Sequence, residues 1–138
     1  MNTINFWPIL ISSVVAFAIG ALWYSPVLFG KEWMSLLKIT EKDVADMKTR
    51  GGMWKRYIAQ FVMSLVMFAV LAFIIASSNG STATDGAFLG FFVWLGFVLP
   101  ISISSFLWKN QPFKLILIEA IQYLVTLVIA GGIIGAWK

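Results

Sequence analysis

Four apolar runs decide what this chain can fold into. They cover residues 6–29, 57–76, 86–108 and 113–137. A helix rises about 1.5 Å per residue, so roughly 20 mainly apolar residues cross the hydrocarbon core of a bilayer. Each run is that long, and the only charged side chain well inside any of them is Glu119. The chain is 60% apolar and 12% charged, against about 45–50% and about 25% in soluble domains. Water would leave that much apolar surface uncovered, so the bilayer is the natural solvent. The expected fold is all-α: an integral membrane bundle of four transmembrane helices. It forms a single domain over residues 1–138, with a cytoplasmic loop, 30–56, containing short interfacial helices.

The first run reads as a retained transmembrane helix rather than a cleaved signal peptide. The residues before it are uncharged, and Ala16-Phe-Ala18 falls inside the run, not after it. Pro8 suits the first turn, where its missing N–H costs little. Orientation follows from the loops, because cytoplasmic loops collect Lys and Arg. Residues 30–56 hold Lys31, Lys38, Lys42, Lys48, Arg50, Lys55 and Arg56, residues 77–85 hold no basic side chain, and Lys109 and Lys114 bracket the third connection. Loops 30–56 and 109–112 are therefore expected in the cytoplasm and both termini outside. Lys138 alone opposes this.

Composition also narrows the chemistry. The chain has no cysteine and no histidine, which removes disulfides, thiolate and imidazole catalysis and the usual zinc sites. No cofactor or metal is indicated. The net charge of +4 does not point to nucleic acid, because the basic residues lie between apolar runs rather than on a patch with stacking aromatics. The expected partners are the lipid bilayer, further copies of the chain and an unidentified small ligand.

The stretch from Ala21 to Met34 marks where the chain leaves the bilayer. Trp23 and Tyr24 favour the interface, with Trp33, Trp54 and Trp108 as further anchors. Pro26 breaks the helix and Gly30 can end it. Residues 31–38 place Trp33, Leu36 and Leu37 on one helical face, as in a helix lying on the membrane. Thr40-Glu-Lys-Asp43 resembles a capping box opening a second short helix over 41–48, with Val44 and Met47 inward, which Gly51-Gly52 would end. Residues 77–85 read as a simple polar turn, with Asn79-Gly-Ser81 a short and common glycosylation pattern. Leu22-Trp23, Pro26 and Lys31 weakly echo Leu107-Trp108, Pro112 and Lys114. A tandem repeat or shared interface chemistry accounts for the echo.

Glu119 is the candidate site. Gln122, Tyr123, Thr126 and Ala130 fall within about 60° of it on the fourth helix. Polar groups are costly in lipid, so this stripe should face protein or water. Counted from the cytoplasmic ends, Tyr24, Ser25, Gln60, Ser64, Ser102, Ser104 and Ser105 lie at a similar depth. Ser13, Ala16, Gly20 and Tyr24 share a face of the first helix. A polar layer centred on Glu119 is expected, with Tyr24, Gln60, Ser104, Gln122 and Tyr123 as its ligand-binding members. The carboxyl group is expected to hydrogen-bond Gln60, Gln122 or a tyrosine. Snorkelling to the interface, or pinning of helix packing, is the structural alternative. Gly86-x-x-x-Gly90 and Gly131-x-x-x-Gly135 allow close helix approach. Gly131 and Gly135 lie about 120–160° from Glu119, so the fourth helix has two contact faces, one for the bundle and one for a neighbouring subunit. Pro100 should kink the third helix. Met53, Met63 and Met67 read as packing or lipid contacts.

Leu22-Trp-Tyr-Ser-Pro26, Phe29-Gly-Lys31, Trp33-Met34, the Pro112-Phe-Lys114 link and the ending Gly131-Gly-Ile-Ile-Gly-Ala-Trp137 resemble the domain of unknown function 1761 family. The resemblance implies a small four-helix integral protein of the bacterial inner membrane and no particular activity. Three readings follow. One is a non-enzymatic, oligomeric membrane protein with a polar cytoplasmic-side cavity that binds or transports a small ligand, lipid or ion. Another is an enzyme on a lipophilic substrate with Glu119 and Tyr123 as acid–base pair, disfavoured by the lack of His, Cys and a second intramembrane carboxylate. The third is a structural or assembly subunit.

Overall fold

The computed structural model describes residues 5–49 and 53–137. Gly51-Gly52, expected to end the second loop helix, lie outside these residues, as do the side chains of Met47 and Met53. The described residues form helices α1 (Phe6–Trp23), α2 (Gly30–Leu37), α3 (Glu41–Thr49), α4 (Met53–Ser77), α5 (Ala83–Val93), α6 (Leu99–Lys109) and α7 (Phe113–Ala136), with a π-helical turn (Trp94–Val98) joining α5 to α6. Four stretches are long and apolar enough to cross a membrane: α1, α4, the continuous rod from α5 to α6, and α7.

The first span is shorter than the apolar run that encodes it. The side chain of Asn5 caps it by accepting from the Trp7 N–H at 3.0 Å. It ends at Trp23 because Pro26 has no N–H to continue the ladder. The chain then turns tightly. Phe29 N–H donates to the Trp23 carbonyl at 3.0 Å and Gly30 N–H to the Ser25 carbonyl at 2.9 Å. Only glycine fits at position 30: a Cβ there would collide with the Tyr24 carbonyl oxygen and lie 2.7 Å from the Ser25 carbonyl carbon. This turn reverses the chain so that α2 comes back against α7. Lys38, at φ 60°, then closes α2.

α3 opens on a reciprocal cap. Thr40 N–H donates to the Asp43 carboxylate at 2.9 Å, and Asp43 N–H to Thr40 Oγ1 at 3.1 Å. The Thr40 backbone N–H first, and the Thr40 hydroxyl beside it, hold the Asp43 carboxyl below the usual carboxylate range. The same Thr-x-x-Asp pattern recurs at Thr82–Asp85, where Asp85 N–H donates to Thr82 Oγ1 at 3.1 Å. That cap starts the third span at Ala83 rather than at Gly86, inside what reads from sequence as a plain polar turn.

Pro100 does its work one turn upstream. Its ring would press on the carbonyl four residues back. The chain widens there instead: Leu99 N–H reaches the Trp94 carbonyl, five residues away.

Glycines fix the tightest contact, between the antiparallel α5 and α7. Cβ atoms built on Gly86 and Gly131 would each strike the other's carbonyl oxygen. One on Gly90 would strike the Leu127 carbonyl, and one on Gly135 the Thr82 carbonyl. In lipid no water-driven force holds helices together, so such close backbone approach carries the association. The glycine face of α7 is thus occupied within the chain. The face carrying Gln122 and Thr126 meets α1, so both contact faces of α7 serve one bundle.

The core sits in the half away from the basic loops, where Phe68, Leu71 and Ile75 of α4 meet Leu127 and Ile134 of α7 and Ile9 of α1. Toward the basic end α4 presents Trp54, Tyr57, Ile58 and Val62 outward. Its contact with α1 there includes an edge-to-face pair of Phe17 and Tyr57, with centroids 5.7 Å apart.

Candidate functional site at the basic end of the bundle

Glu119 stands two turns into α7, half-buried, beneath α2. Its hydrogen-bond partner is the indole N–H of Trp33, which donates to Oε2 at 3.4 Å. The expected partners are not used, and the reasons are local. Gln60 is exposed, as is every residue of α4 from Trp54 onward to it. Gln122 is 7% exposed and turned along its own helix. Its Nε2 donates to Thr126 Oγ1 at 3.0 Å, and Thr126 Oγ1 donates to the Gln122 carbonyl at 2.8 Å. Gly20 of α1 faces that amide: a Cβ there would lie 3.9 Å from Nε2, an ordinary contact.

Two tyrosines complete the surroundings of the carboxylate. Tyr24 and Tyr123 both lie within electrostatic range of Glu119. The Tyr24 ring also meets the Trp33 ring, with centroids 4.6 Å apart and planes inclined by 46°. Four of the named residues therefore gather at one place: Glu119, Tyr123, Tyr24 and Trp33. Ser104 does not join them; it is exposed on α6, a helix with no buried residue.

α2 is tied to α7 by a second link, an ion pair between Glu32 and Lys114. Both side chains are largely exposed, and such pairs contribute about 0–1 kcal/mol. Its consequence for the site is electrostatic. Lys114, in the first turn of α7, is engaged by Glu32 and not by Glu119.

The anchor residues divide into two kinds. Trp54 and Trp108 are exposed, as interfacial rings are, and the Lys55 ammonium lies 5.7 Å from the Trp54 ring centroid. Trp23 and Trp33 turn inward. Trp23 Nε1 donates to the Ile118 carbonyl at 3.0 Å, one residue before Glu119. The buried Trp94 Nε1 donates to the Ala120 carbonyl at 2.7 Å, one residue after it. Two indoles from α1 and the π turn thus clamp the α7 backbone on either side of the carboxylate. Sequence reading missed Trp94 here. The signal available was its place six residues before Pro100, where a locally widened helix re-aims side chains.

A separate groove of about 490 Å³ lies between α1 and α4, lined by Val14, Phe17, Tyr57, Phe61 and neighbouring apolar residues. It offers no polar group to a ligand and suits an acyl chain. Among the described residues no three His, Cys, Asp or Glu side chains gather as a metal-binding group.

Four spans long and apolar enough to cross a bilayer, the first two linked through α2 and α3 and the last holding one carboxylate, mark a multi-pass membrane protein. The sequence profile of the family described as "Protein of unknown function (DUF1761)" matches residues 7–135, and the chain belongs to that family. The match takes in nearly all of the four spans, the α2 helix and Glu119. No curated protein and no solved structure matches the chain.

Proposed function

We propose that this chain is a non-enzymatic, homo-oligomeric protein of the bacterial inner membrane that binds a small ligand, lipid or ion at Glu119 on the cytoplasmic side. Transport is the sharper form of the same reading. One observation carries it: among the described residues the carboxylate of Glu119 has a single hydrogen bond, a 3.4 Å contact from a neutral indole. A carboxylate offers about four lone-pair sites. An intramembrane acid so sparsely engaged among the described residues is suited to accept a further donor or charge. The basic loops support the cytoplasmic placement. The third span supports association, since only 11% of its apolar window is buried and Ser104 is left exposed.

Two measurements test this reading. Thermal melting of the purified chain against a panel of amines, lipids and salts should find a stabilising compound, with the stabilisation lost in Glu119→Gln. A panel with no stabilising compound, or stabilisation that survives the substitution, would sink the site. The native chain has no cysteine, so single cysteines report topology cleanly. Thr84→Cys should react with an impermeant maleimide on intact cells, and Ser35→Cys only after permeabilisation. The reverse pattern would invert the orientation.

A further inference from the structure

The surroundings of Glu119 also indicate which chemistry it receives. We propose that the site takes a hydrophobic organic monocation, a tertiary or quaternary amine with apolar arms, drawn from the bilayer. This rests on the reading of the Glu119 cluster as a ligand site. The ligand's charge is set by the single carboxylate, whose nearest basic neighbour along α7, Lys114, is held by Glu32. An anion would be repelled there.

The walls set the ligand's character. Tyr24 and Trp33 meet at 46° beside the carboxylate, and Tyr123 lies on the same side of α7. Aromatic faces attract cations through their quadrupole, most strongly where water is excluded. A divalent metal wants six or more oxygen ligands or a rigid octahedron. The described residues gather no group of three such ligands for that shell. The flanking residues Leu115, Ile116, Ile118 and Ala120 are apolar and packed inside the bundle, which keeps water from this part of α7 and disfavours a hydrated cation.

Trp33 is the element that yields. Its N–H occupies the carboxylate at 3.4 Å, the long end of hydrogen bonding. A cation brings the carboxylate a full charge–charge attraction that a neutral indole cannot offer. A cation therefore displaces the indole N–H while keeping the ring as a wall.

The test uses two probes of one shape and opposite charge, tetraphenylphosphonium and tetraphenylborate. Each is titrated by equilibrium dialysis against the full chain in lipid nanodiscs, with empty nanodiscs subtracted. Saturable binding of the phosphonium is expected, weakened at least about tenfold by Glu119→Gln and about threefold by Trp33→Ala. Trp33→Phe keeps the ring and removes the competing donor, so it should tighten binding by about threefold. Size-exclusion profiles confirm folding, and Glu119→Asp replaces any variant that fails, with weaker phosphonium binding again expected. Saturable, Glu119-dependent binding of the borate in place of the phosphonium would overturn the cation class and leave the ligand site standing. Phosphonium binding indifferent to Glu119, or no saturable binding of either probe, would overturn the proposal. If the melting panel also finds no Glu119-dependent ligand, the site reading falls with it.

Discussion

Gly86→Leu should yield no monodisperse protein, while Gly96→Ala should melt like the parent chain. Both glycines lie in the third span, so composition and hydropathy change little in either case. The difference is what each position meets. A Cβ on Gly86 runs into the carbonyl oxygen of Gly131, whereas one on Gly96 finds nothing within 4 Å. Overpacking of a side-chain core costs about 1–3 kcal/mol because side chains can shift. Here the obstacle is the backbone of α7, which cannot move without separating the two helices along Gly86, Gly90, Gly131 and Gly135. Even Gly86→Ala should therefore cost about 3 kcal/mol or more, and Gly96→Ala less than about 0.5 kcal/mol. Melting followed by size-exclusion chromatography in one detergent distinguishes the two. Equal behaviour of Gly86→Ala and Gly96→Ala would mean that α5 and α7 do not meet at these glycines.

Trp33→Ala should free α2 and leave the four spans intact. The substitution removes the indole bond to Glu119 and the ring contact with Tyr24. The Glu32–Lys114 ion pair that remains is exposed and weak. A loss of about 2 kcal/mol corresponds to roughly thirty-fold faster amide hydrogen exchange. The acceleration should be confined to residues 30–37, and the exchange of α4 and α7 should stay as in the parent. Uniform acceleration through the spans would mean that Trp33 holds the whole bundle, not the loop helix.

Much of this architecture was legible in the sequence, and the limits have physical causes. The spans were readable because bilayer thickness sets a length that few other structures need. Glu119 stood out because one charge in such a run is costly. The Thr40–Asp43 cap was readable because a local hydrogen-bond pattern has a local sequence. Thr82–Asp85 carries that same pattern but is embedded in residues typical of turns, which mask it. The partner of Glu119 was not legible. Trp33 lies 86 residues away, and its amphipathic face fits a membrane surface as well as a helix bundle. What returns it to α7 is the turn from Tyr24 to Gly30, whose tightness depends on a backbone approach that only Gly30 allows. Gln60 failed to join the site for a similar reason: depth in the membrane is set by counting residues, but the exposure of the start of α4 is a property of packing. The glycine pairs promised close contact without naming the partner, which proved to be a helix of the same chain.

The contact between the loop helix α2 and Glu119 is the link on which the site depends. A double-mutant cycle of Trp33→Phe and Glu119→Leu, read as the opening free energy of α2 amides by hydrogen exchange, tests it most directly. Phenylalanine keeps the ring and loses the donor, and leucine keeps the bulk and loses the acceptor. A hydrogen-bonded pair predicts a coupling of about 1 kcal/mol, the double variant opening more slowly than the two single effects add up to. Additivity within about 0.3 kcal/mol would contradict the contact, and with it the site built around Glu119.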